Sequence, residues 1–171
     1  MPNTFELIAS STVGSGGAAS IDFTSIPSTF TDLCLKISVR GTSAANIIGC
    51  RMAFNGTSLS TNWTRRQLEG NGSTATSQNA TTSNLGYPPA ANMTASTFSN
   101  IEAYIPNYAG STNKSVSVDS VGEGNSTSDV YADLVALLWS NTAAINQITL
   151  TPDSGSFAQY STAYLYGVKN A

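Results

Sequence analysis

The chain of 171 residues contains no histidine. That removes the Ser/His/Asp and Cys/His nucleophile systems, the commonest metal ligand and the usual proton shuttle at neutral pH in one step. Charge is scarce as well. Asp, Glu, Lys and Arg make up 10% of the residues, against roughly a quarter in an ordinary soluble protein. Seven Lys and Arg against ten Asp and Glu leave a net charge of -3, and no basic cluster exceeds the pair Arg65 and Arg66. Phosphate recognition needs a concentrated positive footprint, so no nucleic-acid partner is expected. No stretch approaches the roughly 18 consecutive apolar residues of a spanning helix. The longest apolar run, Val130 to Trp139, is broken by Asp133, and no membrane partner is expected. The two cysteines, Cys34 and Cys50, could pair if their strands are neighbours, but they read as free buried thiols. Residues 1–17 show neither the charged nor the apolar region of a secretory leader, which implies synthesis in a cytoplasm. The seven Asn-X-Ser/Thr triplets, starting at Asn55, Asn62, Asn71, Asn79, Asn92, Asn113 and Asn125, then read as products of composition and not as glycosylation sites.

Ser, Thr and Asn together exceed a third of the chain. With 40% hydrophobic residues and 9% aromatics, the chain can still bury a core, and the length fits one domain over residues 1–171. The clearest element is Asp32 to Arg40, where Leu33, Leu35, Ile37 and Val39 alternate with Cys34, Lys36, Ser38 and Arg40. A strict period of two gives a strand with one face on a core and the other toward solvent or a partner. Cys50, Met52 and Phe54 repeat the pattern and run into Asn55-Gly56, the strongest hairpin signal in the chain. Further strands are expected at Thr4 to Ala9, Ala19 to Thr24, Trp63 to Glu69, Thr97 to Ile105, Ser115 to Val121, Tyr131 to Trp139, Ile145 to Thr151 and Ala163 to Val168. The nearly continuous apolar run Tyr131 to Trp139 reads as a strand buried on both sides. Gly70 to Asn84 has no aliphatic residue larger than alanine and reads as a long flexible surface loop. About ten antiparallel strands at this spacing predict an all-β fold of two packed sheets.

Candidate chemistry is thin. A glycosidase needs two facing carboxylates, and Glu6, Glu69, Glu102 and Glu123 form no cluster in the sequence; no catalytic residue, metal site or cofactor is expected. The loop Gly122 to Asp129 has oxygen ligands that calcium could use but lacks the regular spacing of a calcium motif. Gly14, Gly16 and Gly17 are not followed by Lys-Ser/Thr or a helix, so they make a turn and no phosphate loop. The candidate binding residues are aromatics in or beside loops, Tyr87, Tyr104, Tyr108 and Trp63, with Tyr160 near them, which could stack on sugars or anchor a protein interface. Arg65 and Arg66 could form ion pairs between subunits. Hydroxyl and amide surfaces are cheap to desolvate and suit repeated packed contacts, so an oligomer or lattice component is expected.

Two stretches carry a resemblance. Ile21-Asp22-Phe23-Thr24-Ser25-Ile26-Pro27, followed by Phe30-Thr31-Asp32-Leu33 and Ser38-Val39-Arg40, resembles the amino-terminal segment of small virion proteins of tailed bacteriophages. Ile145 to Leu150, Gly155-Ser156-Phe157, Ser161 and Leu165-Tyr166-Gly167-Val168 are similar to the close of the same group. The chain departs from that pattern at Gln159-Tyr160. The resemblance covers both ends, about a third of the chain. It implies a β-sandwich of the jelly-roll type, usually a homotrimer, without enzymatic activity. The implied role is a capsid decoration (cement) protein on the virion surface with the major capsid protein as partner, the shell contact lying in Met1 to Ser11 or at a sheet edge. The alternative is a tail-fibre or spike module that binds host-surface glycans.

Overall fold

The computed structural model describes residues 4–126 and 129–169. Twelve strands are formed: β1 (Phe5–Thr12), β2 (Ile21–Phe23), β3 (Asp32–Ser38), β4 (Cys50–Phe54), β5 (Trp63–Gly70), β6 (Ala75–Ala80), β7 (Asn84–Gly86), β8 (Asn100–Ile105), β9 (Lys114–Gly122), β10 (Tyr131–Trp139), β11 (Ile148–Pro152) and β12 (Thr162–Val168). Eight of them make one antiparallel sheet in the order β1-β12-β3-β8-β9-β10-β5-β6, and four make a second in the order β2-β11-β4-β7. The protein is an all-β sandwich, and every one of the ten expected strands is present.

The core lies between the sheets. Leu33, Leu35 and Ile37 of β3, Ile101, Ala103 and Ile105 of β8, and Val116 and Val118 of β9 face Met52, Phe54, Ile148 and Leu150 of the small sheet. Alternation dictates this, since successive side chains on a strand point to opposite faces. Its centre is aromatic: Phe54 meets Trp63 at 5.1 Å and Trp139 edge-on at 5.3 Å. Cys34 and Cys50 are buried and free, and burial holds both thiols high, near 11 and 12.

Four expectations change. Residues 70–84 are no loop: β6 runs along β5 with Leu68 opposite Ser77 and Gln67 opposite Gln78. Its sequence ATSQNA buries nothing, so the strand is held by the ladder and not by an apolar face. Asn55 and Gly56 adopt the left-handed conformations expected, yet they end β4 and send the chain to the other sheet, because β4 pairs with β11 and β7 and not with β5. The Asn55 carboxamide fixes that corner by accepting from the Asn146 and Gln147 amides and donating to the Ala144 carbonyl. Arg40, placed on the solvent face by its alternation, is buried, whereas Cys34 keeps the outward phase and is covered there as the expected free buried thiol. Strand β10 is buried on one face alone: Asp133, Val135, Leu137 and Trp139 point inward, while Ala132, Leu134, Ala136 and Leu138 are exposed.

The two stretches that carry the resemblance meet in space. Gly167 of β12 has no side chain because the Phe30 ring lies where its Cβ would be, and the Lys169 ammonium sits 5.1 Å from that ring's centroid. Replacing Gly167 by valine is expected to expel Phe30 and destabilise the fold by about 2 kcal/mol, as overpacking does. Urea unfolding of Gly167→Val and of Gly167→Val/Phe30→Ala checks this, the second change being expected to recover part of the loss.

Candidate interaction face

Among the described residues, no second layer lies over the outer surface of the eight-stranded sheet. The registers arrange its side chains in rows that cross the strands. One row runs Ser10, Tyr164, Lys36, Glu102, Asp119, Leu134, Leu68, Ser77, and the next runs Leu7, Tyr166, Cys34, Tyr104, Ser117, Ala136, Arg66, Asn79. The face divides by chemistry. Toward β1 it is aromatic and apolar, with Phe5 51%, Leu7 52% and Tyr164 37% exposed. Toward β6 it is aliphatic, with Leu134 and Leu68 each 59% exposed beside Val121 and Leu138. A shallow depression of about 530 Å³ lies between β5 and β10, lined by Arg66, Leu68, Ser117, Leu134 and Ala136 among others.

Charge on the face is sparse. Lys36 and Glu102 neutralise one another across β3 and β8. Asp119 stands beside Glu102 in the same row, and Arg66 donates to the Arg65 carbonyl. Among the described residues neither Asp119 nor Arg66 has an ion-pair partner in its own chain. The Tyr104 hydroxyl donates to Asp32 Oδ2 at 2.6 Å, and that bond, with burial behind it, pushes its pKa up to about 12.

The candidate residues from the sequence separate on this frame. Tyr104 and Arg66 lie on the outer face. Trp63 and Tyr108 are inside the core, 1% and 0% exposed, and neither can stack on a sugar; the Tyr108 hydroxyl is spent on the Pro27 carbonyl. Both border loops, which suggests exposure, but Trp63 is in phase with the inward residues of β5. Arg65 shares that phase and is 5% exposed, so it is unavailable for a contact between subunits. Tyr87 is half-buried against Tyr131, with ring centroids 5.4 Å apart, and Tyr160 is exposed in a left-handed turn remote from that pair in the sequence. The structure brings no group of these aromatics into one sugar-sized site. The residues that sequence reasoning missed are Leu68, Val121, Leu134 and Leu138. Their signal was available: Asp133 sits in phase with Val135, Leu137 and Trp139, which leaves Leu134 and Leu138 on the opposite, outward phase.

Beneath the same end of the sheet lies a buried polar group. Asp133, Gln67, Arg65 and Ser120 are all at most 5% exposed. Gln67 Nε2 bridges Asp133 Oδ1 at 2.7 Å and Glu69 Oε2 at 3.0 Å. Burial first, and the Glu69 carboxylate second among the raising influences, push the Asp133 carboxyl up to about 6, against the lowering effect of the Gln67 bond and Arg65. Glu69 faces inward with Asp133, whereas Glu102 faces outward with Lys36. Glu69 and Glu102 therefore lie on opposite faces of one sheet. Groups of three or more Asp, Glu and Cys side chains able to hold a metal are absent among the described residues.

Compared with known proteins, the chain matches no family model, no curated protein and no solved structure.

Proposed function

We propose that the chain is a non-enzymatic structural protein of a virus particle, a decoration protein that packs on the head shell of a tailed bacteriophage, with the major capsid protein as its partner. The observation that carries this reading is the exposed apolar strip at the β1 edge of the large sheet, Phe5, Leu7 and Tyr164, with Tyr166 half-buried beside them. An exposed contiguous apolar patch on a soluble domain marks an interaction surface. This one lies at the sheet edge formed by the amino-terminal strand, where the shell contact is expected. The Lys36 and Glu102 side chains that border the strip are already paired with one another, so it carries no net charge that a contact would have to desolvate unpaired. The jelly-roll form of the sandwich belongs to the same reading.

The test is to locate the protein on the particle by electron microscopy with an antibody against it. Label over the whole head is expected, and label confined to the tail supports the glycan-binding module instead. Phe5→Asp/Leu7→Asp protein, folded by circular dichroism, is expected to lose at least ten-fold in affinity for particles stripped of the native protein. Undiminished binding of that variant would move the contact elsewhere.

A further inference from the structure

We infer that the aliphatic half of the outer face is a homodimer interface in which two copies pack sheet on sheet about a two-fold axis lying along β10. The inference does not rest on the shell reading; it uses the other half of the face. Its first support is the self-complementary placement of charge. Arg66 on β5 and Asp119 on β9 flank β10 on opposite sides, next to Ala136 and Leu134 respectively. A two-fold along β10 lays β5 of each copy over β9 of the other. That brings Arg66 of one copy within side-chain reach of Asp119 of the second, twice, and supplies the ion-pair partner each lacks in its own chain. Isologous contacts have this form, with residue i meeting j and j meeting i. A heterologous partner would have to offer the opposite pattern by coincidence.

The second support is what lies on the axis. Leu134, Ala136 and Leu138 point outward from β10, with Leu68 and Val121 beside them, so the centre of the contact is apolar and its only unpaired charges sit at the flanks. That is the anatomy of a stable interface, with an uncharged core and a polar rim. Ser115, Ser117, Ser77 and Asn79 supply small side chains around it, which lets two sheets approach to the usual separation of about 10 Å.

The third support is area. The axis along β10 superposes β8, β9, β10, β5 and β6 of the two copies. Five strands about 4.8 Å apart and roughly 25 Å long cover roughly 600 Å² per copy, hence about 1,200 Å² in all, the lower limit of stable interfaces. Strands β3, β12 and β1 overhang on each side, and Phe5, Leu7 and Tyr164 stay open in the dimer.

Sedimentation equilibrium of the purified chain between 1 and 200 µM tests the inference. A monomer to dimer equilibrium is expected, and Leu134→Arg is expected to abolish it. Arg66→Asp and Asp119→Arg are each expected to weaken association at least ten-fold, while the double variant Arg66→Asp/Asp119→Arg restores most of it. Near-ultraviolet circular dichroism of the buried Trp63 and Trp139 shows that each variant is folded. A monomer at every concentration overturns the inference. So does a trimer, as the resemblance implies, that Leu134→Arg leaves intact. A charge swap without recovery overturns it too. If the wild type is monomeric and Leu134→Arg loses binding to stripped particles, the face belongs to the shell protein and the homodimer is refuted, while the shell reading gains.

Discussion

Asp133→Asn is expected to stabilise the protein at pH 7.5 by about 2 kcal/mol, and to remove a gain in stability that the parent shows on acidification. The Asp133 carboxyl is 4% exposed, on the inward face of β10 between Glu69 of β5 and Ser120 of β9. Its Oδ2 and the Ser120 hydroxyl have no hydrogen-bond partner. Gly86 of β7 closes over them: a Cβ at that position would clash with Ser120. A carboxylate in such a place is held up near 6, above the ordinary 3.8. A group whose folded pKa is raised favours the folded state in its protonated form. The parent's stability therefore rises as pH falls through about 6 and levels off below about 4 as far as this group is concerned. Asparagine keeps the oxygen that accepts from Gln67 and carries no charge, so its stability at pH 7.5 should already match the parent's gain. Urea midpoints of both proteins at pH 7.5, 6.5, 5.5 and 4.5 decide it. Destabilisation by Asp133→Asn at pH 7.5 would mean that Arg65 holds the carboxylate in its ionised form, and that the pair is worth more than the burial it costs.

How far the fold was legible depends on where each strand's neighbours stand. Strand β3 was readable because Leu33, Leu35 and Ile37 are all core residues, and the alternation of its sequence follows that burial. Strand β6 was illegible because ATSQNA sits beyond the reach of the small sheet, with no apolar partner to select a face. Its β structure comes from backbone pairing with β5 alone, which composition does not record. Strands β5 and β10 misled for a related reason. Their inward side chains mix polar with apolar, Arg65, Gln67 and Asp133 with Trp63, Val135, Leu137 and Trp139, while Leu68 and Leu134 point outward. A rule that puts apolar residues inside then assigns the wrong face or both faces. The candidate face was invisible for the same cause: its leucines looked like core. The tyrosines and Trp63 looked like surface because they border turns, although a residue at the end of a strand keeps that strand's phase. Of the candidates taken from the sequence, Tyr104 and Arg66 reached the outer face, both on strands whose alternation is regular.

Removal of the Arg40 guanidinium is the second large effect. Arg40 lies just past β3, 8% exposed, and its head group gathers the segment that leads from β7 to β8. Nη1 donates to the carbonyls of Thr94 at 2.8 Å and Thr97 at 3.1 Å and to the Thr97 hydroxyl at 2.9 Å, and Nη2 donates to the Met93 carbonyl at 2.9 Å. Burial lowers its pKa without bringing a guanidinium near neutrality, so the charge remains and is satisfied by carbonyl dipoles. Its own backbone is tied as well: the amide donates to the Ser161 hydroxyl at 3.2 Å, and the carbonyl accepts from Ala158 at 2.8 Å. One residue thus joins β3, the segment before β8 and the turn before β12. Arg40→Ala leaves several acceptors without a donor and is expected to cost about 3 kcal/mol, read as a fall of about 8 °C in Tm for a chain of this size. Arg40→Lys retains the charge but not the planar fork that reaches Met93 and Thr97 at once, and is expected to recover less than half of the loss. Both variants should be cut first within residues 93–99 by a non-specific protease, before the strands yield. Full stability of Arg40→Lys would show that the site needs only a cation, and the fork geometry would then carry no weight in holding this segment.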